Sequence, residues 1–338
     1  LTVRTSPPFD HLEAMTDRFG TFEHADHSTP RREHGYCVDD VARVLVVSAR
    51  EPDHSTQVGR LATGALAFIK ESQLGSGAVR NRRASDGCWT SRALVEDSWG
   101  RSLWGLGTAA SSGHASIDAE ALTLFERGAL LRSPWSRSMA FASLGAAAVL
   151  EVDTLNPVAL GLLSDAADAM DDRADDSGWP WPEPRLAYAN ALLPDAMMAV
   201  GSALARGDLV RRGLDLLGWL LARETVGGHL SVTPVGGAGP GDVGPGFDQQ
   251  PIEVATMADA CARAATLDDS MRWREGIEMA LAWFEGDNDT KTVMWDPATG
   301  GGFDGLAATY VNLNMGAEST LAVIATRQQA RAHRLVPA

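Results

Sequence analysis

Helical periodicity recurs about twelve times along this chain of 338 residues, and the helices alternate in character. The second, fourth, eighth, tenth and twelfth are rich in Ala and Gly and poor in charge. The odd-numbered ones, such as Asp208–Glu224 and Asp269–Glu285, carry charges along one face. Helices of the first kind can be covered on all sides and can approach each other closely; helices of the second need one face in water. The alternation predicts an all-α fold, an (α/α)6 barrel of six helical hairpins. Six roughly parallel inner helices would be ringed by six outer ones, with long loops at one end and minor β structure. An open helical array would not need the small-residue bias, nor long loops placed mostly before even helices. No low-complexity linker divides the chain and no clean repeat is visible, so residues 1–338 read as one domain of catalytic type.

The helices are expected near Phe9–Phe19, Val38–Glu51, Gln57–Ser72, Glu96–Ser111, Ile117–Leu131, Ser133–Leu150, Pro157–Asp172, Ala191–Ala205, Asp208–Glu224, from Pro251, Asp269–Glu285 and Met315–Arg331. Ser133-Pro134 and Asn156-Pro157 each offer a cap followed by Pro in the first turn. Asp175–Asn190 has three prolines and two Trp, cannot be regular helix, and reads as a functional loop. A short strand is expected at His229–Pro234, and irregular chain from Gly286 to Leu313.

Nearly every second helix opens on a carboxylate: Asp39-Asp40, Glu96-Asp97, Glu183 ahead of one helix and Asp195 within it, Asp248 with Glu253, and Glu318. In a parallel inner ring these gather at one mouth. A single acidic residue at a helix start is usually a cap or a partner of the helix dipole. Five of six inner helices doing so suggests a cleft. Glycoside hydrolysis needs one protonated carboxyl and one ionised one, and a ring of helix starts supplies both by dipole and by crowding. Asp40, Asp97 and Glu253 are the candidate acid/base set. Adjacent helical residues point about 100° apart, so at most one of Asp39 and Asp40 faces the cleft well. Candidate substrate-binding residues are Asp39, Trp99, Arg101, Trp179, Trp181, Glu183, Tyr188, Asn190, Asp195, Asp248, Gln249, Gln250 and Glu318. The three Trp are read either as sugar platforms or as buried anchors.

Other chemistries find less support. His24, His27 and His34 precede one helix without zinc spacing, so no metal is expected. The Gly-rich runs at 235–246 and 300–305 lack a dinucleotide or P-loop context, and no cofactor is expected. No G-x-S-x-G elbow is present. The net charge of −15 argues against nucleic acid, an anionic membrane surface or a highly anionic polysaccharide. Three widely spaced cysteines, no basic-then-apolar leader pattern and no apolar run of about 18 residues lead to the expectation of a reduced, cytoplasmic setting.

The segments GYCVDDVAR (Gly35–Arg43), WPWPEPRLAYANALLPDA (Trp179–Ala196), FDQQPIE (Phe247–Glu253), and GGGFDG followed by NLNMGAESTLA (Gly300–Ala322) resemble a family of bacterial proteins found alone or fused to glycosyltransferases. That family looks like a branch of the six-hairpin glycosidase superfamily. The resemblance implies the (α/α)6 fold, a glycan context and a glycosyltransferase as partner or fusion. It does not imply one reaction. Some six-hairpin enzymes, bacterial α-1,6-mannanases among them, use adjacent Asp residues as their catalytic pair, and Asp39-Asp40 is similar in kind. A glycoside hydrolase acting on an oligosaccharide or glycan, with a mannoside as one candidate, is the leading expectation. A sugar epimerase or isomerase is the second, although His114 and His229 are isolated where paired His would be needed. A non-catalytic glycan-binding domain is the third.

Overall fold

A computed structural model describes residues 8–52, 55–171 and 178–335. The expected helix end at Asp172 and the start of the aromatic loop, 175–177, lie outside the described residues.

Among the described residues twelve α-helices form: α1 (Asp10–Ala14), α2 (Val38–Ala49), α3 (Thr56–Ser72), α4 (Asp97–Ala110), α5 (Asp118–Gly128), α6 (Ser136–Val152), α7 (Pro157–Asp171), α8 (Leu192–Ala203), α9 (Gly207–Arg223), α10 (Pro251–Leu267), α11 (Met271–Phe284) and α12 (Ala317–Ala332). Each even-numbered helix packs on the next, and α12 packs back on α2, which closes an inner ring. The odd-numbered helices pack outside it: α3 on α2, α5 on α4, α9 on α8 and α11 on α10. This is the (α/α)6 barrel. Connections of three to seven residues lead from inner to outer helix in the α2–α11 hairpins, so the two run antiparallel. Connections back to the inner ring run to 20–32 residues, except for the seven before α6. The long loops therefore collect at the N-terminal ends of the inner helices.

The tightest seam is between α4 and α6. A Cβ at Gly107 would lie 2.1 Å from the Gly145 carbonyl oxygen, and one at Gly145 would lie 2.0 Å from that of Leu103. A Cβ at Gly100 would meet the Ser138 carbonyl at 2.3 Å. These glycines let the backbones touch, and hydrophobic residues fill the space around them. The outer helices keep a single buried stripe, as in α9, where Leu209, Gly213, Leu216, Leu217, Leu220 and Leu221 face inward.

Three sequence expectations shift. α1 is one turn rather than Phe9–Phe19, because Thr16 Oγ1 donates to the Leu12 carbonyl, Asp17 accepts from Phe19 N–H, and the chain reverses at Gly20. α6 begins at Ser136 rather than Ser133-Pro134: the Ser133 hydroxyl donates to the Val95 carbonyl at 2.7 Å and accepts from Trp135 N–H at 3.3 Å, closing a turn ahead of the helix. The strand near His229 is two residues long and pairs with Thr225–Val226 across the Gly227-Gly228 turn, both glycines having positive φ. Other two-residue strands tie the long loops down: Tyr36–Cys37 pairs with Arg82–Arg83, and Val79–Arg80 with Ala93–Leu94. Among the described residues no helix is long and apolar enough to cross a membrane.

Candidate functional site

A well of about 700 Å³ opens at the N-terminal ends of α2, α4 and α6, beside the loop before α8. Asp39, Asn81, Asp97, Arg137, Glu183 and Tyr188 line it, and Arg92, Leu94 and Trp135 stand on its rim.

Arg101, one turn into α4, organises the floor. Its Nη1 lies 2.8 Å from Asp39 Oδ1 and 4.0 Å from Asp97 Oδ2, so these two oxygens are no more than about 7 Å apart. Asn81 Nδ2 donates to the other Asp39 oxygen at 2.8 Å. Burial pushes Asp39 up, but Arg101, Asn81 and Arg43 outweigh it and hold this carboxyl below its ordinary range. Every partner of the Asp39 carboxylate is a donor that cannot turn into an acceptor. The partners of Asp97 are different: Ser138 Oγ donates to Oδ1 at 2.7 Å and the Tyr188 hydroxyl donates to Oδ2. Hydroxyls rotate, so both can serve a protonated or an ionised Asp97.

A second cluster lies beside this floor. Arg43 bridges Asp40 Oδ1 at 2.6 Å and Glu318 Oε2 at 2.8 Å. Asp40 is buried, also accepts from Cys37 Sγ at 3.0 Å, and is pushed up to about 6 by burial. Glu318 keeps 42% of its side chain open, and although burial raises it, Arg43 and Arg101 hold it below the usual range. Of the adjacent Asp pair it is Asp39, not Asp40, that faces the well.

Glu253 belongs to the wall rather than to the lumen. It is 5% exposed and accepts from Ala189 N–H at 2.5 Å and from Asn190 N–H and Nδ2 at 3.1 Å each. Burial, with Glu224 nearby, pushes it up to about 8 against the pull of those donors. Its folded pKa is thus raised above the unfolded value, so its stabilising contribution is complete below about 4.5 and is lost as pH climbs through about 8. The urea midpoint of the wild type is expected to fall between pH 5 and pH 9, and Glu253→Gln to flatten that fall. An unchanged slope in Glu253→Gln would show that the ionisation of this carboxyl does not oppose folding.

The remaining expected site residues go elsewhere. Trp99 is fully buried and its indole N–H donates to the Gly128 carbonyl at 3.1 Å. Trp179 and Trp181 are buried around Trp219, with ring centroids at 5.1 and 5.9 Å, so they anchor the aromatic loop and offer no open face. Asn190 is fully buried and closes the 187–190 turn, its Oδ1 accepting from Ala187 N–H. Asp195 is buried against Arg263 of α10, at 2.5 Å, away from the well. Asp248 lies against the Gly305 backbone, where burial raises its pKa. Gln249 is fully buried, donating to Asp289 and accepting from Trp283. Gln250 is the half-buried residue preceding α10. None of these side chains lines the well.

The well also contains residues that sequence reasoning passed over. Trp135, just before α6, is 59% exposed on the rim. Arg137 pairs with Glu183 and donates to the Tyr188 carbonyl at 2.7 Å. A Trp directly after Ser-Pro, at the start of the one inner helix without a carboxylate, was the available signal. Asn81 had none, because a β pairing distant in sequence brings it to Asp39.

No family model matches the chain, and no curated protein matches it in sequence. Its structure is similar to a sugar epimerase from a ruminal bacterium, with TM-score 0.73 and 12% identity over 97% of this chain and 96% of that one. It is also similar to cellobiose 2-epimerase from Bacillus thermoamylovorans, with TM-score 0.71 and 10% identity over 96% and 95% of the two chains. An α-mannanase from Bacteroides thetaiotaomicron aligns with TM-score 0.60 and 12% identity over 89% and 87%. Identities this low are likenesses of fold. The chain shares its (α/α)6-barrel fold with these proteins.

Proposed function

We propose that this protein is a glycan-processing enzyme, and specifically a glycoside hydrolase whose reacting carboxyls are Asp39 and Asp97. The observation that carries the reading is the well itself, where these two carboxyls flank Arg101 beneath an exposed Trp135. A ceiling of about 7 Å between the two carboxyl oxygens admits the roughly 5–5.5 Å of retaining pairs and the lower end, roughly 6.5 Å, of inverting ones. Asp39, held by fixed donors, is the ionised base or nucleophile. Asp97, held by hydroxyls that suit either state, carries the proton to the leaving oxygen. Trp135 offers an apolar ring face to a sugar, and Asn81, Arg137 and Glu183 offer hydroxyl partners. Asp40 and Glu253, buried and committed to Arg43 and to the loop before α8, support this pair.

Sugar epimerisation or isomerisation is the second reading, favoured by the similarity to two structures that are themselves epimerases. Paired His, the usual proton carriers of such chemistry, are not among the residues lining the well. The test is product release from a panel of oligosaccharides, α- and β-mannosides included, with and without phosphate. Cleavage is the expected result, and cleavage only with phosphate would make the enzyme a phosphorylase. No cleavage, together with deuterium uptake from solvent into a sugar, would replace the hydrolase reading with the epimerase one.

A further inference from the structure

We propose that Glu253 is a positioning residue that holds the Tyr188 hydroxyl on Asp97. It does so through the backbone of the turn at residues 187–190.

Tyr188 lines the well, 39% exposed, with its hydroxyl on Asp97. The next residue, Ala189, has φ +46°, a left-handed conformation that a non-glycine residue adopts only at a steric cost. Such a turn persists only if its surroundings over-determine it. Glu253 supplies the restraint: one carboxylate takes the N–H of Ala189, the N–H of Asn190 and the Asn190 amide. Asn190 Oδ1 in turn accepts from Ala187 N–H at 2.9 Å, which closes the turn on itself. On the other side Arg137 donates to the Tyr188 carbonyl and its guanidinium carbon sits 4.9 Å from the ring centroid. Tyr188 is thus clamped between α6 and α10 while its hydroxyl crosses to α4.

The clamp spans three inner helices, and only one of its members is a carboxylate with no access to the well. A residue that merely filled space at the start of α10 would not need three N–H partners, all from one turn. The proposal deepens the assignment of Asp97 as a reacting carboxyl and rests on that reading for its kinetic consequence alone.

The chain has three tyrosines, Tyr36, Tyr188 and Tyr310, so 3-fluorotyrosine labelling gives three ¹⁹F resonances, and Tyr188→Phe identifies one of them. Glu253→Gln, or Glu253→Asp should the first not fold, is expected to shift or split the Tyr188 resonance. The buried Tyr36 should keep its own. On a cleaved glycan, kcat should fall about tenfold in Glu253→Gln and in Tyr188→Phe, and no further in the double variant. An unmoved Tyr188 resonance in a folded Glu253 variant would overturn the proposal, as would a double variant losing the product of the two single losses. The ¹⁹F measurement needs no substrate. A resonance that moves while turnover is untouched would uphold the clamp and show that Asp97 does not depend on the Tyr188 hydroxyl for its chemistry.

Discussion

Asp97→Asn is expected to lower turnover of a cleaved glycan by about 10²–10⁴-fold, the range associated with loss of a positioned acid or base. The substitution keeps the shape of the side chain; the amide oxygen accepts from one of the Ser138 and Tyr188 hydroxyls and the amide NH2 donates to the other once it has rotated, so folding should be nearly intact. Asp39→Asn should lose activity on the same scale but at a cost in stability. Arg101 is buried, its Nε already lacks a partner, and its Nη1 would lose its closest carboxylate. Leaving such a group unsatisfied costs about 1–3 kcal/mol. Initial rates and thermal midpoints measured together separate the two effects. An Asp97→Asn variant that turns over as fast as the wild type would end its assignment as the acid.

Gly145→Ala carries the largest expected effect on stability. Its new Cβ would sit 2.0 Å from the Leu103 carbonyl oxygen and 3.0 Å from Trp104 Cα, and both are backbone atoms that no rotamer change can clear. α4 and α6 would have to separate at the tightest seam of the inner ring. Overpacking of this kind costs about 3 kcal/mol or more, which should lower Tm by roughly 5 °C or more. Gly64 on α3 is the control, because a Cβ there meets nothing within 4 Å. Gly64→Ala should stabilise by about 0.5–1 kcal/mol through helix propensity. Equal midpoints for the two variants would contradict the packing of α4 on α6.

Legibility of the fold came from a local property. Whether a helix must be covered on all sides or on one is written in its own residues, as the contrast between α10 and α9 illustrates. Twelve such stretches, with short connections alternating with long ones, left few ways to bury the apolar faces. Helix ends were less legible, since Ser133 looks like a helix cap but closes a turn with Trp135 N–H while donating to the distant Val95 carbonyl, and the helix starts only at Ser136.

The site divides along the same line. Helix starts rich in carboxylates indicated which end of the barrel would be chemical, and Asp39, Asp97, Glu183 and Tyr188 do meet there. Direction was not legible. Asp39 and Asp40 are adjacent and alike, yet one faces the well and the other is buried on Arg43. Trp99, Trp179 and Trp181 had the composition of sugar platforms and became core, whereas Trp135, on which no expectation rested, stands exposed on the rim. The sequence by itself determined the helices, their inner or outer place, and the end at which the acids collect, because these follow from periodicity and the burial of apolar surface. Only the tertiary structure decided which carboxyls see solvent and which are tied to Arg43, Arg263 or the 187–190 turn. A side chain's exposure and ionisation depend on partners that the fold brings from tens or hundreds of residues away.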